Sequence, residues 1–299
     1  MKRPLAGIAL LLAGAALIAG ALRPPRSSWQ VSTEAAAVPS DYRGRYPIDA
    51  LTRWQVHDPD SGRRLTLYVA RYRSADGDLR QAILPPPATP AWRDWQGMGE
   101  TLRRLETDAL ILAWWDDAQR ADLLGGRQVW ARQPPARAFP PRDRTLWRRL
   151  GGGFAGDGGR LTQLARWLAA PVDEGLAALR RAMPVRPRYL LVSTATLARL
   201  DEIRRLSGRA FPLEMKIFPP NRNLHAQIAA VRRWAGETGY GYLPRKVPAG
   251  IAAWRLTRPA PLPLLLRLLP FTTTPSTPPV GLTPVFQSPD RQLRLYRLQ

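Results

Sequence analysis

Two tryptophans, two aspartates and an arginine stand together at Trp114, Trp115, Asp116, Asp117 and Arg120. Such a set can stack on, hydrogen-bond and charge-pair a ligand. Neighbouring carboxylates on a helix diverge by about 100°, too far to work as a paired acid and base, so the set suits binding better than catalysis. The remaining reactive inventory is thin. His57 and His225 are the two histidines; neither has a second ligand at helical spacing, and each fits a surface role. Ser193 ends a strand-like run without the Gly-x-Ser-x-Gly elbow of an activated serine. Gly151, Gly153 and Gly156 match G-x-G-x-x-G, but no strand feeds the segment and no Lys-Ser/Thr closes it, so it reads as a loop. Cysteine is absent, which excludes disulfides, thiolate metal sites, iron–sulfur clusters and thioether attachment of haem. The residues therefore predict a non-catalytic protein with no metal site and no cofactor of its own.

The elements that must position the Trp-Asp-Arg set can be read around it. Residues 109–115 form an unbroken apolar run, the pattern of a strand buried on both faces. Asp116 with Gln119 three positions on has the capping-box spacing, which predicts a helix starting at Asp117 and stopped after Leu124 by Gly125 and Gly126. Ligands of open α/β sheets collect beyond the carboxyl ends of the strands. Because successive strand residues face opposite ways, Trp115 and Asp116 are expected to line a cleft there while Trp114 is core. The alternative is purely structural: Asp116 a cap, Asp117 a favourable first-turn charge and both tryptophans packing.

The rest of the chain predicts an α/β fold, a mixed sheet with flanking helices and β-hairpins. Residues 51–56 and 65–72 read as a hairpin across Asp58-Pro-Asp-Ser-Gly62, with a further strand at 82–84 and a helix near 98–106. Strands follow at 127–131, 188–192, 213–218, 239–243 and 251–256. Helices are expected at 161–168, 172–182, at 195–206 after a Thr194 cap, and after Asn223 with a stripe of Leu224, Ile228, Val231 and Ala235. Residues 262–269 suit a core or interfacial helix, and 283–287 with 293–298 a closing hairpin.

The N-terminus adds a destination. After a cytoplasmic stub at 1–4, residues 5–22 are uncharged and long enough to cross a bilayer. The basic Lys2 and Arg3 predict a cytoplasmic N-terminus, with a tether at 23–50 and a domain at 51–299 in the periplasm. A cleaved signal peptide, with Ala19-Gly20-Ala21 as the processing site, is the rival reading. The formal net charge is +22 and rests almost wholly on arginine, since lysine occurs only at Lys2, Lys216 and Lys246. A basic surface of this kind suits an acidic protein partner or the anionic inner membrane; nucleic acid is disfavoured because no basic run interleaves with aromatics.

Trp114-Trp115-Asp116 at a strand end, the later strand at 187–193 and the closing Leu293-Arg-Leu-Tyr-Arg-Leu298 resemble the Trp-Trp-Asp soluble domain of oligosaccharyltransferase catalytic subunits. That resemblance implies a hydroxyl-recognising role for Trp114, Trp115 and Asp116 in a peptide- or glycan-recognising module. The family's membrane part, with its metal and lipid-linked sugar sites, has no counterpart here. Taken whole, the hydrophobic N-terminal segment followed by a basic α/β region containing Ala113-Trp-Trp-Asp-Asp-Ala-Gln-Arg-Ala-Asp-Leu-Leu-Gly-Gly-Arg127 is similar to the hydroxylamine oxidation protein (HaoB-type) family. That resemblance implies a membrane-anchored periplasmic accessory of the hydroxylamine oxidation system of nitrification, with hydroxylamine oxidoreductase as the acidic partner.

Overall fold

A computed structural model describes residues 29–156, 159–183, 187–247 and 249–299. In chain order its strands are β1 (Gln30–Ala36), β2 (Ile48–Asp58), β3 (Arg63–Arg73), β4 (Leu79–Leu84), β5 (Leu110–Leu112), β6 (Gln128–Val129), β7 (Arg188–Ser193), β8 (Leu213–Phe218), β9 (Tyr242–Val247), β10 (Gly250–Leu256), β11 (Leu282–Gln287) and β12 (Leu293–Leu298). The helices are α1 (Pro90–Arg103), α2 (Trp115–Gly125), α3 (Arg144–Leu150), α4 (Gly159–Ala169), α5 (Val172–Ala182), α6 (Leu200–Ser207), α7 (Leu224–Gly236) and α8 (Leu264–Leu268).

The strands form three sheets, where the sequence pattern predicted one mixed sheet. β1 to β4 make an antiparallel meander. A five-stranded mixed sheet runs β11-β12-β7-β5-β6, with β5 parallel to both β6 and β7 and β12 antiparallel to β7. β8, β10 and β9 form a third, wholly antiparallel sheet. Period-2 patterning marks a strand without naming its neighbour, so β8, β9 and β10 gave no sign that they leave the central sheet.

The central strand is shorter than its apolar run. β5 ends at Leu112, and Trp114 is already the N-cap of α2, with no side-chain capping bond. The expected capping box at Asp116 and Gln119 does not form, because both lie inside the helix and their side chains are drawn to tertiary partners. The helix stop is where the glycines put it. Gly126 takes the left-handed conformation at φ 60°, and at Gly125 a Cβ would come within 2.5 Å of the Leu102 Cβ, so α1 and α2 can cross only over glycine.

Residues 30–36, assigned by composition to a tether, pair as β1 along β2. Tyr42 and Tyr46 that follow are buried; Tyr42 packs on Trp92, whose indole N–H donates to Asp41 at 2.9 Å. The helix expected at 98–106 starts earlier, because Thr89 caps Trp92 N and Pro90 occupies the first turn. The helix expected at 195–206 opens as a 3₁₀ segment, Thr194–Arg199, before α6. In α7 the buried positions are Gln227, Val231 and Ala235, while Leu224 is exposed: the inward face is turned, since Gln227 donates to the carbonyls of Phe218 and Pro219. α8 is a buried core helix. Among the described residues no helix is long and apolar enough to cross a membrane; the span expected at 5–22 lies outside them.

Candidate functional site

Every residue of α2 is buried, although five of its eleven side chains are polar or charged: Asp116, Asp117, Gln119, Arg120 and Asp122. A polar group this deep is tolerated only when partnered, and the partners come from remote parts of the chain. β7 ends at Ser193, whose Oγ donates to Asp117 at 2.6 Å. The 3₁₀ segment and α6 bring Arg199 and Glu202 over the start of α2. The Arg199 guanidinium reaches Asp116 from Nε (3.4 Å) and Nη2 (3.3 Å), and Glu202 from Nη1 (3.0 Å). Arg120 bridges the neighbouring acids, pairing with Asp117 and reaching Asp116 at 3.5 Å, while its Nε donates to the Ile83 carbonyl at 2.6 Å.

Both tryptophans turn to the same group. The indole N–H of Trp114 (3.0 Å) and that of Trp115 (2.8 Å) donate to one oxygen of Glu202. A strand continuing through Trp115 would have thrown them to opposite faces. Because β5 stops at Leu112, the cap and first helical residue can converge. The Arg199 guanidinium also lies 5.1 Å from the Trp115 ring centroid and 4.4 Å from that of Trp147, two cation–π contacts to rings set nearly at right angles to each other.

The electrostatics follow from this crowding. Burial, then the adjacent Asp116 charge, pushes the Asp117 carboxyl up to about 6. Burial acts on Asp116 in the same direction, but Arg199 and Arg120 outweigh it and hold Asp116 below the usual carboxylate range. Glu202 is raised, burial outweighing its bonds to Arg199 and the two indoles. Thus one carboxylate takes most of the arginine charge and its neighbour titrates near 6.

A cleft of about 280 Å³ opens at this place, beyond the carboxyl ends of β5 and β7. Asp116 and Arg120 line it together with Ser193, Arg199, Trp147 and Trp95. Trp114 and Trp115 are 1 % and 0 % exposed; they and Asp117 lie behind the wall and act through Glu202, Arg120 and Ser193. The five residues singled out by sequence are therefore brought together, two of them on the cleft surface. Ser193 donates directly to Asp117 with no imidazole between them, and both acids are paired with arginine, so the arrangement holds charge in place. Among the described residues no three His, Asp or Glu side chains are grouped to hold a metal ion.

Sequence reasoning missed Glu202, Arg199 and Arg245. For Glu202 a signal existed: it shares the inward face of α6 with Ile203 and Leu206, where an acid requires a buried cation, and Arg199 stands three residues before it. For Arg245 the signal was an arginine alternating with Leu243 and Val247 on one face of β9.

Fold and site together define an α/β protein whose strand-end cleft is walled by a closed arginine–carboxylate network. The chain belongs to the family described as HaoA-associated protein HaoB, which matches residues 2–298. No curated protein matches it significantly. Among solved structures it is similar to the C-terminal domain of pglB from C. jejuni, at 9 % identity and a TM-score of 0.41, covering 68 % of this chain and 99 % of that one. It is also similar to the C-terminal globular domain of an oligosaccharyltransferase from Archaeoglobus fulgidus, at 12 % identity and a TM-score of 0.25, covering 57 % and 99 %. No role is transferred from these weak similarities.

Proposed function

We propose that this protein is a membrane-anchored, periplasmic accessory of hydroxylamine oxidation that binds HaoA and performs no redox step itself. Its family is described by association with HaoA, and the chain has the charge to support an association with an acidic partner. The observation that carries this reading is the arginine excess left once the internal pairs are matched. Asp116, Asp117, Asp122 and Glu202 are buried and paired with arginines inside, which removes both signs together, so the excess behind the net +22 remains for the rest of the chain. A surface of one sign steers an oppositely charged partner and contributes salt-sensitive affinity. Electron transfer would require a redox centre, and a chain without cysteine offers no covalent haem linkage and no thiolate for a cluster. The uncharged segment at 5–22 supports anchoring to the inner membrane.

The test is fractionation of cells that make both proteins. The full chain should stay in the membrane pellet after a high-salt wash, and HaoA should co-sediment with it at low salt and be released at high salt. A soluble periplasmic form lacking residues 1–21, or HaoA whose sedimentation ignores the presence of this chain, would remove the proposal.

A further inference from the structure

We propose that the strand-end cleft binds a carboxylate attached to a short aliphatic group, with Arg245 as the anion-binding residue. The inference stands apart from the HaoA association, because it rests on an imbalance inside the cleft.

Of the four arginines in the lining, Arg63 is exposed to solvent, and the other three differ in what their nitrogens do. Arg120 spends all three on Ile83, Asp117 and Asp116, and Arg199 spends all three on Asp116 and Glu202. Arg245 lines the same cleft, yet among the described residues its guanidinium has neither a hydrogen bond nor an ion pair. It stands between Leu243 and Val247 on the inward face of β9, paired through the sheet with Ala252, and is half-buried. Burial, then the like charge of Arg120, lowers its pKa, with Asp117 opposing them. A half-buried cation with five unused donors is costly unless an anion completes it, and a planar fork matches a carboxylate with two parallel bonds.

The rest of the lining sets the ligand's other end. Leu65, Leu67, Pro85, Pro86 and Trp95 give the cleft an apolar side. Of the two acids in the lining, Asp116 is already paired with Arg120 and Arg199, whereas Asp94 has no ion pair among the described residues and its Oδ2 has no hydrogen-bond partner; burial raises its pKa. A polyanion would set further charge against that apolar side and Asp94, while a single carboxylate completes the Arg245 fork. A monocarboxylate with a chain of a few carbons fits both the charge and the volume.

Hexanoate is the probe, its binding to the full chain in detergent followed by saturation-transfer NMR on its methyl protons. A ligand of this size should bind with a Kd of roughly 1 mM. Hexanamide, of the same shape without the charge, should bind at least about tenfold more weakly, and R245Q should lose hexanoate to the same extent while keeping its melting temperature. Because the amide arm uses the unaltered protein, the proposal stays falsifiable even if R245Q folds poorly. Adding HaoA distinguishes a carboxylate carried by that partner, which displaces hexanoate, from a free one, which leaves hexanoate bound; Arg245 is the anchor in both cases. Hexanoate that fails to bind, or that binds no better than hexanamide, or that binds R245Q as well as the parent, would overturn the proposal.

Discussion

The two ends of α2 solve the same problem differently. At its start Asp116 and Asp117 lie near the positive end of the helix dipole, which favours carboxylates, but they stand side by side and share Arg120. Asp117 is consequently pushed up to about 6. At its end Asp122 faces the unfavourable pole, and it is a single acid served by Arg80 at 3.0 Å, Arg132 at 3.4 Å and the Tyr72 hydroxyl at 2.6 Å. The C-terminal cluster ties the helix to the β3–β4 hairpin and opens partly to solvent through Arg80 and Arg132. The N-terminal cluster ties it to β7 and α6, is closed on the protein side and borders the cleft. One end of the helix is a latch, whereas the other also shapes the wall of a binding site.

The comparison can be broken most forcefully at Arg199. Arg199→Met strands Asp116 and Glu202 in the interior, and chemical denaturation should show a loss of about 3–5 kcal/mol. Arg199→Lys should recover only part of it, because an ammonium cannot reach both acids with a planar fork. At the other end Asp122→Ala should cost less, about 1–3 kcal/mol, since Arg80 retains Asp76 and Asp78. Equal losses at the two ends would erase the distinction between them.

The pH dependence sharpens the contrast. The folded protein holds the Asp117 proton more tightly than the unfolded chain, whose value is near 3.8. Asp117 therefore favours folding at low pH, and that contribution is lost as pH rises from about 4 through about 6, by on the order of 1–3 kcal/mol. Asp116, with a lowered pKa, contributes stability above its unfolded value that is lost as pH falls. Asp117→Asn removes only the first of these, so its melting temperature should decline less than that of the parent between pH 4 and 6. Parallel pH profiles would mean that Asp117 titrates normally. The smallest effect is expected at Trp114→Phe, which keeps most of the packing but removes one indole donor to Glu202; about 1 kcal/mol should be lost, with Trp115→Phe similar.

Much of the local architecture around α2 was legible in sequence. The apolar run at 109–115 contains β5, Gly125 and Gly126 end the helix, and the hairpins β2–β3 and β11–β12 fall where turn residues and alternation put them. The division into three sheets was not legible, because a strand's periodicity says which face is buried and nothing about its neighbour. Nor was the fully enclosed α2, whose polar residues look like a solvent face until Ser193, Arg199 and Glu202 arrive from 76 or more positions away. The capping-box spacing misled for the same reason: Asp116 lies inside the first turn, where its Oδ1 accepts from the adjacent Asp117 N–H at 3.1 Å and its Oδ2 is held by Arg199 and Arg120.

The arginine excess of the chain, net +22, is proposed to serve the binding of HaoA. The most direct test is the affinity of the full chain in detergent for HaoA, measured between 50 and 300 mM salt, a range across which the screening length shrinks to well below about 10 Å. The account predicts that the Kd weakens by about tenfold or more across this range. An affinity that does not change with salt, or no association at the lowest salt, would contradict it.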